Sequence, residues 1–317
     1  MEIDNGVICP ICGGLSKKIK SLDSAYIKSQ LSIQFNTPVL KDVEIVDYEL
    51  LRCNECSFEF AFPQIEGSRS FYDWVTSQPK YYVENRWEYY KVLDLLAKGS
   101  KGIKLLDVGC GDGQFFDVIN QGGRLIIDLY GLDTTDASIE ICRNKGYKVF
   151  CMDIQKFKSV HEETLFSTIT AFHVLEHIAD PKKFLAEMAD LLEPAGSIFI
   201  STPYSPMDFE LDWYDVLNHP PHHMGRWNMN SYIKIAKILG LKPEFFMPEY
   251  PGLLRSAILS FKFSIYGSAQ LESKMKILKA IGRRPGKFFT HLLKQSKRTR
   301  ISGKRASNVI LVKFTKI

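Results

Sequence analysis

The chain has 317 residues, 45% hydrophobic and 24% charged, the composition of a soluble globular protein with one large domain and room for a small appendage. Its opening, MEIDNGVICP, is acidic and lacks the basic start and apolar run of a signal peptide, and its longest apolar stretch, residues 252–267, is interrupted by Arg255 and Lys262; the expectation is a cytoplasmic protein with no membrane span. The net charge of +5 is uneven: from residue 273 onward there are fourteen Lys and Arg and no acidic residue, which leaves the first 272 residues at −9 and suggests an anionic partner for the tail.

The first predicted element is a small module carrying CPIC (9–12) and CNEC (53–56). Two C-x-x-C pairs supply four thiolates at the spacing of two zinc knuckles, so Cys9, Cys12, Cys53 and Cys56 are the expected ligands of one structural Zn²⁺ in a zinc ribbon. Four thiolates leave no open coordination position, and the metal would stabilise a segment too small for a generous core. The long gap between the pairs requires an inserted loop or extra strands. Residues 68–98 then place aromatic and apolar side chains at helical spacing up to Gly99, which predicts a helix covering one edge of the following domain.

From residue 103 short apolar runs alternate with helical segments. KLLDV (104–108), the run ending at Asp133, YKVFCMD, FSTITAF and GSIFISTP read as five strands, with KPEFFMP and NVILVKFTK as a sixth and a last. This alternation predicts an α/β fold with a doubly wound, mainly parallel seven-stranded sheet, covered on both faces. The last strand is expected to add antiparallel at the sheet edge. Residues 252–300 read as mostly helical and basic.

Ligands of such sheets bind beyond the carboxyl ends of the strands. There, Gly109, Gly111 and Gly113 follow the first strand and open a helix whose first amides are free. Asp107 and Asp112 crowd negative charge into that turn, which suits a cationic ligand with hydroxyls better than a pyrophosphate. Asp133, ending the second strand, can accept ribose hydroxyls, and Asp153, ending the third, can take an adenine amino group with Ile154 packed on the ring. Together they describe a nucleoside pocket.

As a set, DVGCGDG (107–113), GLD (131–133), CMDI (151–154) and FHVLEHIADP (172–181) resemble the successive motifs of class I S-adenosylmethionine-dependent methyltransferases, over roughly residues 80–250 and the last strand. The resemblance implies that Asp107, Gly109, Gly111 and Gly113 hold the methionine side of S-adenosyl-L-methionine. It places Asp133 at the ribose, Asp153 and Ile154 at the adenine, and Phe172 beside the cofactor. Ser167 stands where the family usually has an aspartate. The implied organisation is a zinc-ribbon module at 1–66, a helical lead-in at 67–102, and a methyltransferase domain at 103–317 with a basic helical insertion at 252–304.

His173, Glu176 and His177 stand at i, i+3 and i+4, offsets that share one face of a helix, and HPPHH (219–223) is expected to fold over the same cleft. Three readings stay open. These residues with His222 or His223 bind a second divalent ion, similar to metal sites of small-RNA and some quinone-biosynthesis O-methyltransferases. Alternatively His222 or His223, with His173 behind them, acts as general base. In the third, Glu176 and His177 only tie down backbone. Trp213, Tyr214, Trp227 and Tyr232 offer aromatic faces around the loop or fill the core.

The ribbon, with PPHHMGRW (220–227), resembles methyltransferases of sugar and surface-polysaccharide biosynthesis, and less closely some ribosomal RNA methyltransferases. A hydroxyl of a sugar, nucleotide sugar or glycan is therefore the leading expected acceptor. RNA and metal-assisted small-molecule O-methylation are the alternatives. The basic tail fits an anionic membrane surface, with Phe288, Phe289, Leu292 and Leu293 as apolar anchors, which would hold the protein at the inner face of the membrane.

Overall fold

A computed structural model describes residues 6–78, 81, 86–98, 102–123, 125–161, 163–207, 210, 216–248, 252–266, 273–297, 300–301, 304–305 and 307–316. The N-terminal module consists of β1 (Ser16–Leu22), α1 (Ser24–Phe35), β2 (Tyr48–Cys53) and β3 (Glu59–Phe62). The gap between the cysteine pairs thus holds a helix as well as strands. Asp23 caps α1 by accepting from the Tyr26 amide, left-handed Asn36 closes it, and Ile27 and Leu31 bury its inner face one turn apart. The expected single helix over 68–98 is instead two, α2 (Arg69–Thr76) and α3 (Trp87–Leu96). Ser68 caps α2. On α3, Glu88, Val92 and Leu96 are buried at i, i+4 and i+8, so an acid lies on the inward face.

The main domain runs β4 (Ile103–Val108), α4 (Gln114–Gly122), β5 (Ile127–Asp133), α5 (Asp136–Asn144), β6 (Val149–Cys151), α6 (Ile154–Val160), β7 (Phe166–Phe172), α7 (Pro181–Asp190), β8 (Leu192–Pro203), β9 (Gly225–Arg226), α8 (Met229–Ile238), β10 (Leu241–Phe246), α9 (Leu253–Tyr266), α10 (Lys274–Arg283), α11 (Pro285–Ser296), β11 (Arg300–Ile301), β12 (Lys304–Arg305) and β13 (Val309–Lys316). Seven strands form the sheet in the order β10-β13-β8-β7-β4-β5-β6. All pairings from β8 to β6 are parallel, and those of β13 with β8 and β10 are antiparallel. The last strand is therefore antiparallel as expected but lies inside the sheet. Its residues Ile310, Leu311, Val312 and Phe314 are all inaccessible to solvent, which an edge position could not provide. The chain adds β5 and β6 on one side of β4 and then returns to place β7 on the other. The reversal puts the ligand crevice beyond the carboxyl ends of β4 and β7.

The two parts of the chain share a sheet. β9 pairs with β3, so the N-terminal sheet has the order β1-β2-β3-β9 and crosses the boundary expected at residue 66. The joint is ionic. Buried Arg226 donates from Nε to Glu59 (2.8 Å) and through both terminal nitrogens to Glu210 (2.9 and 3.0 Å), while Arg52 also pairs with Glu59.

Of the four residues read as membrane anchors, Phe289 and Leu293 are exposed. Phe288 is half-buried with its ring edge on Phe261, and Leu292 is half-buried. Among the described residues no helix is long and apolar enough to cross a membrane.

Candidate active site

The glycine loop is shaped by three contacts. Gly109 and Cys110 both donate their amides to the Leu132 carbonyl (2.7 and 2.9 Å), which folds the chain back over β5. Gly109 has φ +74°, and a Cβ there would lie 2.4 Å from Val174 Cγ2, so the loops after β4 and β7 meet where only glycine fits. At Gly111 (φ +54°) nothing lies within 4 Å of the Cβ position, which leaves that side of the loop open to a ligand. Gly113 begins α4 in the left-handed region.

Asp133 sits at the rim of this loop. One oxygen accepts from the Gly111 amide (3.0 Å) and the other from Thr135 (2.8 Å). Asp107 is buried below it and accepts from Thr170 (2.6 Å). Burial pushes its pKa up to about 7, the nearby Asp133 charge adds to the rise, and the Thr170 bond opposes it. An unfolded aspartate titrates near about 3.9. Between there and about pH 7 the unfolded chain has lost a proton that the folded chain keeps, so the Asp107 contribution lowers stability as pH rises across this window and levels off above it. Denaturation from pH 4 to 8 should show Asp107→Asn gaining stability relative to wild type through that window; a constant difference would contradict the assignment.

Asp153 caps α6, its Oδ1 accepting from Lys156 (2.7 Å). Ile154 is buried in the core with Phe157 and Phe166. Phe172 packs edge-on between Tyr89 (4.8 Å between centroids) and Phe115 (4.9 Å). Trp227 and Tyr232 are stacked on each other and fully buried, so they are core residues with no face toward a ligand. Trp213 and Tyr214 lie outside the described residues.

The stretch after β7 is not the helix that its spacing suggests. His173 has φ +56°, rare for a non-glycine residue, and Leu175–His177 form one 3-10 turn before α7. His173 lies outside that turn, in the left-handed region, so helical spacing does not hold across the stretch and the three groups separate into two sites.

In the first, the His173 ring donates from Nδ1 to Glu176 Oε1 (3.2 Å) and from Nε2 to Glu88 Oε1 (2.9 Å). Burial alone would lower its pKa, but the two carboxylates outweigh that and raise it, giving an imidazolium clamped between acids. The second oxygen of Glu176 is buried with no partner among the described residues.

In the second, His177 faces His222 and His223. Both latter rings are buried. Burial, with His177 beside it, pushes His222 down to about 3. Burial and its two histidine neighbours hold His223 well below the usual range. His222 is engaged at both nitrogens, by the Leu217 carbonyl (2.7 Å) and by Tyr81 Oη (2.7 Å). A lowered pKa and two engaged nitrogens count against His222 as the general base that the sequence suggests.

A family model described as a methyltransferase domain matches residues 81–243, just over half of the 317 residues. The chain belongs to the methyltransferase domain family. This methyltransferase is 33% identical over 105 residues to a ubiquinone biosynthesis O-methyltransferase of Saccharophagus degradans, covering 31% of this chain and 43% of that protein. It is 30% identical over 108 residues to one from Coxiella burnetii, covering 32% and 44%. The chain thus spans less than half the length of these curated relatives. A solved structure of a SAM-dependent methyltransferase from Archaeoglobus fulgidus is 16% identical, with 72% of this chain and 92% of that chain covered and a TM-score of 0.47.

Three participants were missed by sequence reasoning: Glu88, Thr170 and Arg226. For Glu88 a signal existed, since an acid on the buried stripe of an aromatic helix needs a partner. Its partner, His173, lies 85 residues away, and nothing local names it.

Proposed function

We propose that this methyltransferase moves a methyl group from S-adenosylmethionine to a hydroxyl oxygen of a small molecule, with Glu176 receiving the hydroxyl proton. The observation that carries this reading is the Glu88–His173–Glu176 group set against the glycine loop, where Val174 fills the space beside Gly109. S-adenosylmethionine, when bound, supplies a methyl group on a cationic sulfur. The residues present suit such a cation, because the Asp133 carboxylate lies at the loop and Gly111 leaves it open. In this reading Asp133 shares the ribose hydroxyls, and Asp153, whose Oδ1 caps α6, meets the adenine with its other oxygen.

Methyl transfer to a hydroxyl breaks a carbon–sulfur bond and forms a carbon–oxygen bond, so the hydroxyl proton needs an acceptor. Glu176 Oε2 has a lone pair that nothing described uses, and His173 fixes the other oxygen. The names of these relatives favour a small-molecule hydroxyl over the sugar, nucleotide-sugar or glycan acceptor and over RNA. Labelled methyl transfer from S-adenosylmethionine to hydroxylated quinone precursors, nucleotide sugars and RNA in parallel tests this. Label is expected on the quinone precursors, and label confined to sugars or RNA would overturn it.

We also propose that Cys9, Cys12, Cys53 and Cys56 hold one structural zinc. Sulfur separations of 3.7, 3.5 and 3.7 Å support this. A tetrahedron with arms of about 2.3 Å has edges of about 3.8 Å, whereas a disulfide would be near about 2.05 Å.

A further inference from the structure

We propose that His177, His222 and His223 form a second metal site, a three-imidazole seat for one divalent ion of the zinc class. One ring nitrogen from each lies within 4.8 Å of the others. His177 comes from the turn after β7, and the other two from the loop that Arg226 ties to the N-terminal sheet. This set omits His173 and Glu176, which the one-face spacing had grouped with His177.

Hydrogen bonds settle which nitrogens are available. His177 Nδ1 lies 2.6 Å from the His222 carbonyl, and His222 Nδ1 lies 2.7 Å from the Leu217 carbonyl. A carbonyl only accepts, so both Nδ1 atoms carry the hydrogen. His223 Nδ1 lies 3.0 Å from Asn218 Oδ1. The Asn218 amide nitrogen is oriented by Glu210 Oε1 (2.7 Å), which fixes its oxygen toward His223. All three rings are therefore Nδ1–H tautomers, which makes Nε2 the ligand atom of each. Metal-binding histidines use the same arrangement, in which the outer nitrogen donates to a carbonyl or amide that holds the ring.

His222 and His223 stack at 4.5 Å between centroids, and His177 stands edge-on to both at 4.7 and 4.9 Å. Packing alone does not explain why three polar rings should share one tautomer. Tyr81 now donates to His222 Nε2 and would give way to the ion. Three neutral nitrogens leave a fourth position for an oxygen ligand, water or the acceptor hydroxyl. That last role rests on the proposed methyl transfer, whereas binding of the ion does not.

The test uses the full chain and Co²⁺ or Zn²⁺ alone. Two equivalents should bind, the first with thiolate charge-transfer absorption and the second without it. Nitrogen-detected NMR should show three Nδ1–H histidines whose Nε2 signals move only with the second equivalent. His177→Ala, at the least buried member, should lose the second equivalent and keep the first. Binding that stops at the thiolates, or a second ion that leaves those signals unmoved, overturns the site. Calorimetry with S-adenosylmethionine on the same samples separates the two ideas. Methyl-donor binding with a single ion sinks this site alone, and two ions without methyl-donor binding sink the methyl-transfer reading alone.

Discussion

Glu176→Gln lowers turnover by about 10²–10⁴-fold while S-adenosylmethionine binds as before, the loss expected when a positioned general base is removed. Glutamine keeps an oxygen for the His173 bond and nearly the same volume, so packing around the turn is preserved. What changes is the ability to take a proton. The buried, unpartnered Oε2 motivates the choice, because a buried carboxylate oxygen without a partner costs on the order of 1–3 kcal/mol unless a ligand completes it. Single-turnover rates with donor affinity measured separately make the check. Turnover within a few-fold of wild type would reduce Glu176 to a support for His173.

Arg226→Met destabilises the chain by about 3–5 kcal/mol, the range seen when one partner of a buried ion pair is removed. Arg226 is 6% exposed and serves both Glu59 and Glu210. Methionine fills much of the space but leaves Glu210 buried without its bidentate partner and Glu59 with Arg52 alone. Because β9 joins the N-terminal sheet to the loop carrying His222 and His223, the same variant should loosen that histidine cluster. Chemical denaturation gives the stability change. Adding Glu210→Gln should restore part of it if unpaired charge is the cause, and a loss below about 1 kcal/mol in the single variant would show that the joint is held by packing.

The strands were legible because their signal is local. FSTITAF and the KLLDV run are apolar stretches bounded by turn residues, and β7 spans Phe166–Phe172 as read. The glycine loop was legible for the same reason, since strand, glycines and acids lie within a few residues. The place of β13 was not. An apolar run tells that a strand is buried but not which neighbours bury it, and β13 pairs with strands from two distant parts of the chain. The 172–181 stretch misled because i, i+3 and i+4 share a face only if the backbone is α-helical, and the left-handed His173 turn breaks that premise. Glu88 with His173, and Arg226 with Glu59, join positions far apart in sequence. Their chemistry was visible residue by residue, but their pairing exists only in the folded chain.

The central claim is that the loop from Asp107 to Gly113, with Asp133 at its rim, holds a methyl donor. Calorimetric titration of S-adenosylmethionine into wild type and Asp133→Ala tests it most directly. One molecule per chain is expected for wild type, with affinity about 10–100-fold weaker in the variant, as for loss of hydrogen bonds to a charged group. No binding by wild type, or equal affinity in both, would contradict it.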